Sequence, residues 1–489
     1  MGETFAPRPA LGPKTNTQEV DVQRLDYKDF AGPKPACPWH SNLATIMNPI
    51  MNPIKTNPQM TARTQVEPNW AAFVAIDWAD QKHDVVLLPA GSQAKEHFTL
   101  EHKPEVLSDW IARLQERFPG GKIALILEQS RGALIYALLP HESLQLYPIN
   151  PQMSAKFREA FYPSGAKNDP LDADLMLDIL LHHRDRLTVW QPDDPTTRQL
   201  QLLTEARRRF VADQVRYTNR LASALKSYFP QALELAGQNL AAPMACAFLT
   251  KWPTLEAAQK IKPHLLRKFY YGHHSRSETL IEQRLQLLAQ ARPLTTDAAV
   301  IAAQSLLVQS VARELAALPK ILAEYDRQIA ALFATQVDHP IWDSFPGAGP
   351  ALAPRLAAAW GTQRERFPDS QAISSYSGIA PVQEASGKSR WIHMRWACPK
   401  FVRQTFHEMA KASVNFCAWA LCYYQLQIQR GKGHHAAIRA LAFKWQRIMW
   451  RCWQDRVPYD EGKYVASLQR QASGLYARVV AAQTVPTGE

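Results

Sequence analysis

No stretch of this sequence is apolar for long enough to cross a bilayer, and its first residues hold no signal-peptide core. The expectation is therefore a cytoplasmic protein with no membrane partner. Cysteine is scarce: six among 489 residues, at Cys37, Cys246, Cys398, Cys417, Cys422 and Cys452. None forms a C-x-x-C pair and none has a histidine at zinc-finger spacing, which argues against a thiolate zinc site. Free thiols in a reducing compartment fit that pattern. Acid is in deficit, with 44 Asp and Glu against 56 Lys and Arg and a formal charge of +12. The excess of base points to a polyanionic partner. A hydrophobic share of 46% with 20% charged residues excludes a wholly disordered chain, and the length accommodates about two to four domains.

Residues 1–68 are rich in Pro, Asn, Thr and Lys, and Met47-Asn48-Pro49-Ile50 repeats at once as Met51-Asn52-Pro53-Ile54. This region reads as a disordered extension. From Ala71 the pattern changes. Strands are expected over Phe73–Trp78, Asp84–Leu88, Glu96–Leu100, Lys122–Glu128 and Leu144–Tyr147, with helices over Lys103–Phe118, Ala133–Leu139 and 170–183. Three strands followed by alternating helix and strand give a mixed α/β sheet of ribonuclease-H-like order over 69–190. Beyond Pro192 and Pro195 the pattern is helical, with helices over 196–228, 277–293 and 297–335. Leu203, Phe210 and Tyr217 fall seven apart on the first of these, an apolar stripe of coiled-coil type, beside Arg207 and Arg208 as candidate nucleic-acid contacts. A helical or coiled-coil region over 195–338, a C-terminal domain over 339–465 and a tail over 466–489 complete the division. The fold class is α/β plus all-α.

Acids end two of the expected buried strands: Asp77 closes Phe73-Val74-Ala75-Ile76, and Glu128 closes Ile123-Ala124-Leu125-Ile126-Leu127. A buried strand end gains nothing from an unpaired acid. Asp169 and Asp172 open a helix in Asp169-Pro170-Leu171-Asp172. Taken alone, Asp at N-cap, Pro at N1 and an acid at N3 make an ordinary helix start. Together the four acids can converge on one point. Converging carboxylates need a cation between them, and oxygen-only ligands suit Mg2+ or Mn2+ held over a phosphodiester.

In the C-terminal domain, Phe345-Pro346-Gly347-Ala348-Gly349-Pro350 precedes a helix over Ala351–Trp360. Gly347 and Gly349 there expose backbone N–H groups in the helix-hairpin-helix manner and can hold a phosphate without reading a base; a tight helix–helix turn has the same sequence. Helices are expected over 400–425 and 433–454. The second carries Trp445, Trp450 and Trp453 among Arg439, Lys444, Arg447 and Arg451, a pattern that fits both stacking on unpaired bases and core packing. Ser386 in Ala385-Ser386-Gly387-Lys388-Ser389-Arg390 sits beside a glycine and between cations, a setting for a hydroxyl that attacks a phosphodiester, or for a polar surface turn.

The chain resembles transposases of the "IS one-ten / eleven-eleven" family of insertion sequences. The resemblance rests on Ala75-Ile76-Asp77-Trp78-Ala79 with Lys82-His83-Asp84, on Leu127-Glu128-Gln129-Ser130 and on Tyr147-Pro148-Ile149-Asn150-Pro151. It continues through Ser164-Gly165-Ala166-Lys167-Asn168-Asp169-Pro170-Leu171-Asp172-Ala173, Phe345 to Pro350, Ser377-Gly378-Ile379-Ala380-Pro381 and Ala385 to Ser389. It covers the chain from about Ala71 to about Asp460. It implies a RuvC-like domain whose metal ligands are Asp77, Glu128, Asp169 and Asp172, with Mg2+ or Mn2+ as cofactor. It implies a C-terminal domain with Ser386 as the nucleophile and Ser389 as the fallback. Lys388 and Arg390 beside that serine, and Lys167 before Asp169 in the first domain, are further candidate nucleic-acid contacts. The expected partners are donor and target DNA, a structured non-coding guide (bridge) RNA and further copies of the chain, in a dimer or tetramer. The site of action would be the bacterial nucleoid. The alternatives are a junction-resolving nuclease that uses the acids without a covalent intermediate, and a non-catalytic nucleic-acid-binding protein.

Overall fold

The structure, a computed structural model, describes residues 69–128, 132–161, 169–387 and 389–484, without the side chains of 169, 170, 483 and 484. The extension expected over 1–68 lies outside the described residues. No helix of the described residues is long and apolar enough to cross a membrane. The described chain divides into two compact units at Pro192 and Asp193.

In the first unit, β1 (Trp70–Asp77), β2 (Lys82–Pro89) and β3 (Glu96–Glu101) form an antiparallel meander. After α1 (Pro104–Arg117), β4 (Lys122–Leu127) returns parallel to β1. Then α2 (Ala133–Leu138) leads to β5 (Leu144–Pro148), parallel to β4. The order β3-β2-β1-β4-β5 is that of the expected mixed sheet. Both faces are covered, which is why the central strands read as continuous apolar runs. Val74, Ile76, Leu125 and Leu127 pack with Leu107, Ile111 and Leu114 of α1 and Ile135 of α2. On the opposite face, Ala75, Ala124 and Ile126 pack with Ala173, Met176, Leu177 and Leu180 of α4 (Asp169–His183). Helix α3 (Pro151–Phe161), between β5 and α4, was not among the sequence expectations.

The second unit is helical. Helix α5 (Pro195–Tyr228) begins at an Asp194 cap whose carboxylate accepts from the Thr197 N–H at 3.0 Å. It runs antiparallel to α11 (Ala298–Ala334): Thr197 meets Gln336 at one end and Phe210 packs on Tyr325 further along. Against the far half of this pair lie α6 (Ala232–Leu235), α7 (Pro243–Lys251), α8 (Leu255–Gln259), α9 (Pro263–Gly272) and α10 (Glu278–Gln290), around a core of Phe229, Phe248, Leu266 and Tyr270 with Leu225 of α5 and Val311 of α11.

At the near end, a third core collects Trp342, Trp360, Phe406, Trp419, Trp445 and Trp453. It is built from α12 (His339–Asp343), α13 (Gly349–Trp360), α14 (Ser370–Tyr376), α15 (Lys400–Ser413), α16 (Ala418–Gln429), α17 (His434–Asp455), α18 (Glu461–Arg470) and α19 (Gly474–Thr484). Leu468, Leu475 and Val479 of α18 and α19 are buried in it. The single helix expected over 400–425 is two helices. The chain turns at Val414–Phe416, where the Asn415 N–H donates to the Ala412 carbonyl, and Ser413 Oγ accepts from the Trp445 indole at 2.8 Å. Strands β6 (Val382–Ser386) and β7 (Ser389–His393) form an exposed hairpin.

Candidate active site

Asp77 is the last residue of β1, and Glu128 follows the last residue of β4. The parallel register pairs Ile76 with Leu127, so the two acids leave the same edge of the sheet on neighbouring strands, whose spacing is about 4.8 Å. Side chains alternate along a strand. Ala75 and Ile126 face α4, so Asp77, two residues on within β1, is directed to that face too, while Glu128 follows directly after β4. Both are half-buried. On α4 the residues that meet the sheet are Ala173, Met176, Leu177 and Leu180. One helical turn earlier the same stripe passes through Asp172. Asp172 is 7% exposed and pairs with Arg158 of α3.

The side chain of Asp169 and all of Lys167 lie outside the described residues. Asp174 turns away and pairs with Lys95 at 3.0 Å. Asp84, in β2, stands opposite Asp77 in the register, on the α4 face with Val86. Proximity to Asp77 follows from strand pairing, which spacing alone does not reveal.

Among the described residues, no three His, Cys, Asp or Glu side chains form a ready metal-holding group. The donor chemistry nevertheless fits a divalent cation. It is all carboxylate, with Asp77 and Glu128 at the ends of neighbouring parallel strands, and the buried Asp172 Oδ1 makes no hydrogen bond beyond its ion pair. The turn that follows Asp77 is held by a buried histidine. His83 Nδ1 accepts from the Ala79 N–H at 3.2 Å, and His83 Nε2 meets His102 Nδ1 at 2.9 Å.

Ser386 ends β6 and is exposed. Its register partner is Ser389, across a turn in which Gly387 has φ +55°, the left-handed conformation that a two-residue hairpin turn requires. The serine stands at a defined hairpin tip. The pairing Ala385 with Arg390 puts Arg390 on the face of the ribbon opposite Ser386 and Ser389. Lys388 lies outside the described residues. Glu384 and Trp391, joined by an indole N–H donating to the carboxylate at 2.7 Å, share the serine face.

Known families match both units. A transposase model of the DEDD type named for IS110 matches residues 74–230, and a model described as "Transposase IS116/IS110/IS902 family" matches residues 340–425. The chain belongs to the IS110 family of transposases. It is 27% identical over 419 residues to the IS117 mini-circle protein of Streptomyces coelicolor, covering 83% of this chain and 100% of that protein. It is 24% identical to the 43.6 kDa protein of insertion element IS110 of the same species, over 77% of this chain and 92% of that one. The same identity holds for the 42 kDa protein of IS900 of Mycobacterium paratuberculosis, over 82% and 99%. Transposases cut and rejoin DNA, so DNA is the substrate.

The other residues expected at nucleic acid have varied surroundings in this transposase. Gly347 is a packing residue: at φ +84° its Cα passes so close to α15 that a Cβ would lie 2.9 Å from the backbone of Ala412 and Ser413. Gly349 is exposed in the first turn of α13, with open space around it. Arg207 is committed to Asp326 of α11. Arg208 lies 3.9 Å from Glu408, and burial holds its guanidinium below its ordinary pKa. Of the two readings of α17, core packing prevails: Trp445 and Trp453 are 1% and 0% exposed. Two of the exposed aromatics, Trp391 and Trp396, lie in and after the serine hairpin.

Proposed function

We propose that this transposase is an RNA-guided recombinase that excises and inserts its own insertion sequence by metal-dependent, serine-mediated strand exchange. The acid half is supported by the sheet edge: β1 and β4 end side by side, so Asp77 and Glu128 leave neighbouring strands of a sheet on which α4 packs. Asp77, Glu128, Asp169 and Asp172 would hold Mg2+ or Mn2+, which when bound supplies charge neutralisation at the phosphate. The buried Asp172 is paired with Arg158.

The serine half rests on the resemblance and on the exposed tip at Ser386. Attack by Ser386 Oγ forms an O–P bond and breaks the bond from phosphorus to one DNA strand, whose hydroxyl leaves with the serine's proton. Attack by the hydroxyl of another strand reverses the step and restores Ser386, so no external energy is needed. The acids and the serine belong to separate compact units. A site shared between subunits, and with it a dimer or tetramer, accords with that division. Guidance by a structured RNA follows from the resemblance, and the net charge of +12 suits two nucleic-acid partners.

The test incubates purified protein, guide RNA and donor and target DNA, then traps protein on cleaved strands. Ser386→Ala is expected to lose the covalent adduct while retaining RNA binding, and Asp77→Ala and EDTA are expected to lose recombination. An adduct that persists in Ser386→Ala and disappears in Ser389→Ala moves the nucleophile across the hairpin. Cleavage without any adduct in the parent protein rejects the serine mechanism in favour of hydrolysis at the acids.

A further inference from the structure

Residues 231–339 lie between the two ranges that the family models match. Within them, α7, α8 and α9 enclose a groove of about 780 Å3. Lys251, Lys260, Lys262 and Lys268 line it, and none of its lining residues is acidic. Lys260 is paired at 2.6 Å with Glu256, an acid outside the lining. Lys251, Lys262 and Lys268 are exposed and form no ion pair among the described residues. The groove meets the first turn of α9, where Lys262 is the N-cap and His264 lines the wall, so the positive end of the helix dipole adds to the lysines.

The floor is aromatic. Trp252 and Phe269 line it edge to face, with ring centroids 5.0 Å apart, and the Lys251 ammonium lies 4.7 Å from the Trp252 ring centre. Leu265 on the rim is 48% exposed. Unpaired cations interleaved with half-buried rings make a surface that takes phosphates at its edges and an unstacked base at its centre. A duplex offers the phosphates but keeps its base faces stacked. An acidic protein segment would leave the rings without a partner of matching shape.

We propose that the α7–α9 groove binds an unpaired stretch of the transposase's DNA substrate, apart from the acids and the serine. Strand cutting and exchange necessarily produce such stretches, and DNA is the substrate already established. A phosphate that draws the Lys251 ammonium aside would leave the Trp252 face open to a base. The recognition is sequence-tolerant, since every base has a π face.

The experiment uses the full chain, a fluorescent single-stranded DNA oligonucleotide without homology to any guide, and a salt titration. Three lysines that each contact a phosphate contribute about 0.7 apiece to the slope of log K against log salt. The triple variant Lys251→Ala/Lys262→Ala/Lys268→Ala is expected to lower that slope by about 2, which is about 100-fold in affinity at about 0.1 M salt. Its melting temperature is expected to stay at that of the parent, because all three side chains are exposed. Lys320→Ala, an exposed lysine on α11 outside the groove, is expected to change neither slope nor affinity. A 5-iodouracil-substituted strand is expected to crosslink to the peptide that contains Trp252. An unchanged slope in the triple variant overturns the proposal. So does a loss confined to duplex DNA, or confined to single-stranded RNA, or a crosslink that maps only outside 251–269. None of these readouts requires strand cleavage, so they are independent of the serine mechanism.

Discussion

His83 makes the turn beside the candidate acids sensitive to acid, by an amount that can be worked out. The imidazole, near the start of β2, is fully buried beside Trp78 and His102. Because Nδ1 accepts from the Ala79 N–H, the ring proton must sit on Nε2, where it donates to His102. A second proton would have to enter at Nδ1 and break the bond to Ala79. Burial, and then the neighbouring His102, lower the pKa from 6.5 to about 4. The folded state therefore prefers neutral His83. Its contribution to stability is complete above the unfolded value of 6.5, declines as pH falls because only the unfolded chain gains the proton, and is gone below about 4. The whole span is about 3 kcal/mol, of which about 2 kcal/mol is already lost at pH 5. The assay is peptide-resolved amide hydrogen exchange on the full chain at pH 7.5 and pH 5, corrected for intrinsic rates. Peptide resolution matters because His407, in the other unit, is also lowered to about 4 and loosens that unit over the same range. In the parent, Val85–Leu87 of β2 should lose protection by about thirtyfold on acidification. His83→Gln keeps an acceptor for Ala79 and a donor for His102 but does not titrate, so that loss should vanish. If β2 in His83→Gln loses protection on acidification as the parent does, His83 is not the acid-sensitive group and the argument from its burial fails.

Gly347→Ala should lower stability by about 2–3 kcal/mol, since it joins a positive φ to contact with the α15 backbone. Gly349→Ala, which meets nothing within 4 Å, should cost about 1 kcal/mol; equal losses in thermal melts would reject the packing role of Gly347. Arg158→Met leaves the Asp172 carboxylate buried without its cation and should cost about 1–3 kcal/mol, discounted because Arg158 is 23% exposed. Titrating Mg2+ should then raise the melting temperature of the variant more than that of the parent, whereas equal shifts would remove Asp172 from the ligand set. Trp453→Ala opens a fully buried site in which the indole N–H donates to the Gly361 carbonyl at 3.1 Å. A loss of about 3–5 kcal/mol in denaturant unfolding is expected, with the affinity of the remaining folded protein for nucleic acid unchanged; a selective loss of affinity without a loss of stability would return Trp453 to a stacking role.

The strands and the acids that end them were legible because both follow from local rules. A sheet covered on two faces must be apolar at every position, so an acid that interrupts such a run marks the strand's edge, as Asp77 and Glu128 do. The start of α4 was legible from Asp and Pro in cap positions. Less was legible in the C-terminal helices. A tryptophan–arginine alternation has the same periodicity whether it faces a core or a strand of DNA, and burial of Trp445 and Trp453 depended on distant partners such as Ser413 and Gly361. Gly347 needed the passage of α15, more than sixty residues away, to acquire its reason. The serine segment, with glycine and lysine at its centre, gave no strand signal of its own, because an exposed hairpin buries nothing that would impose alternation.

Composition and periodicity by themselves determined a basic protein with a mixed sheet in front, long helices behind, and acids at its strand ends, because charge, pleat and helical repeat are properties of neighbours along the chain. Tertiary structure alone decided that Asp84 stands across from Asp77, that Arg207 and Arg208 are taken up by α11 and α15, and that lysines of α7 and α9 line one groove with Trp252. Those relations join residues far apart in sequence, and only packing, which trades chain entropy for buried surface, can select them.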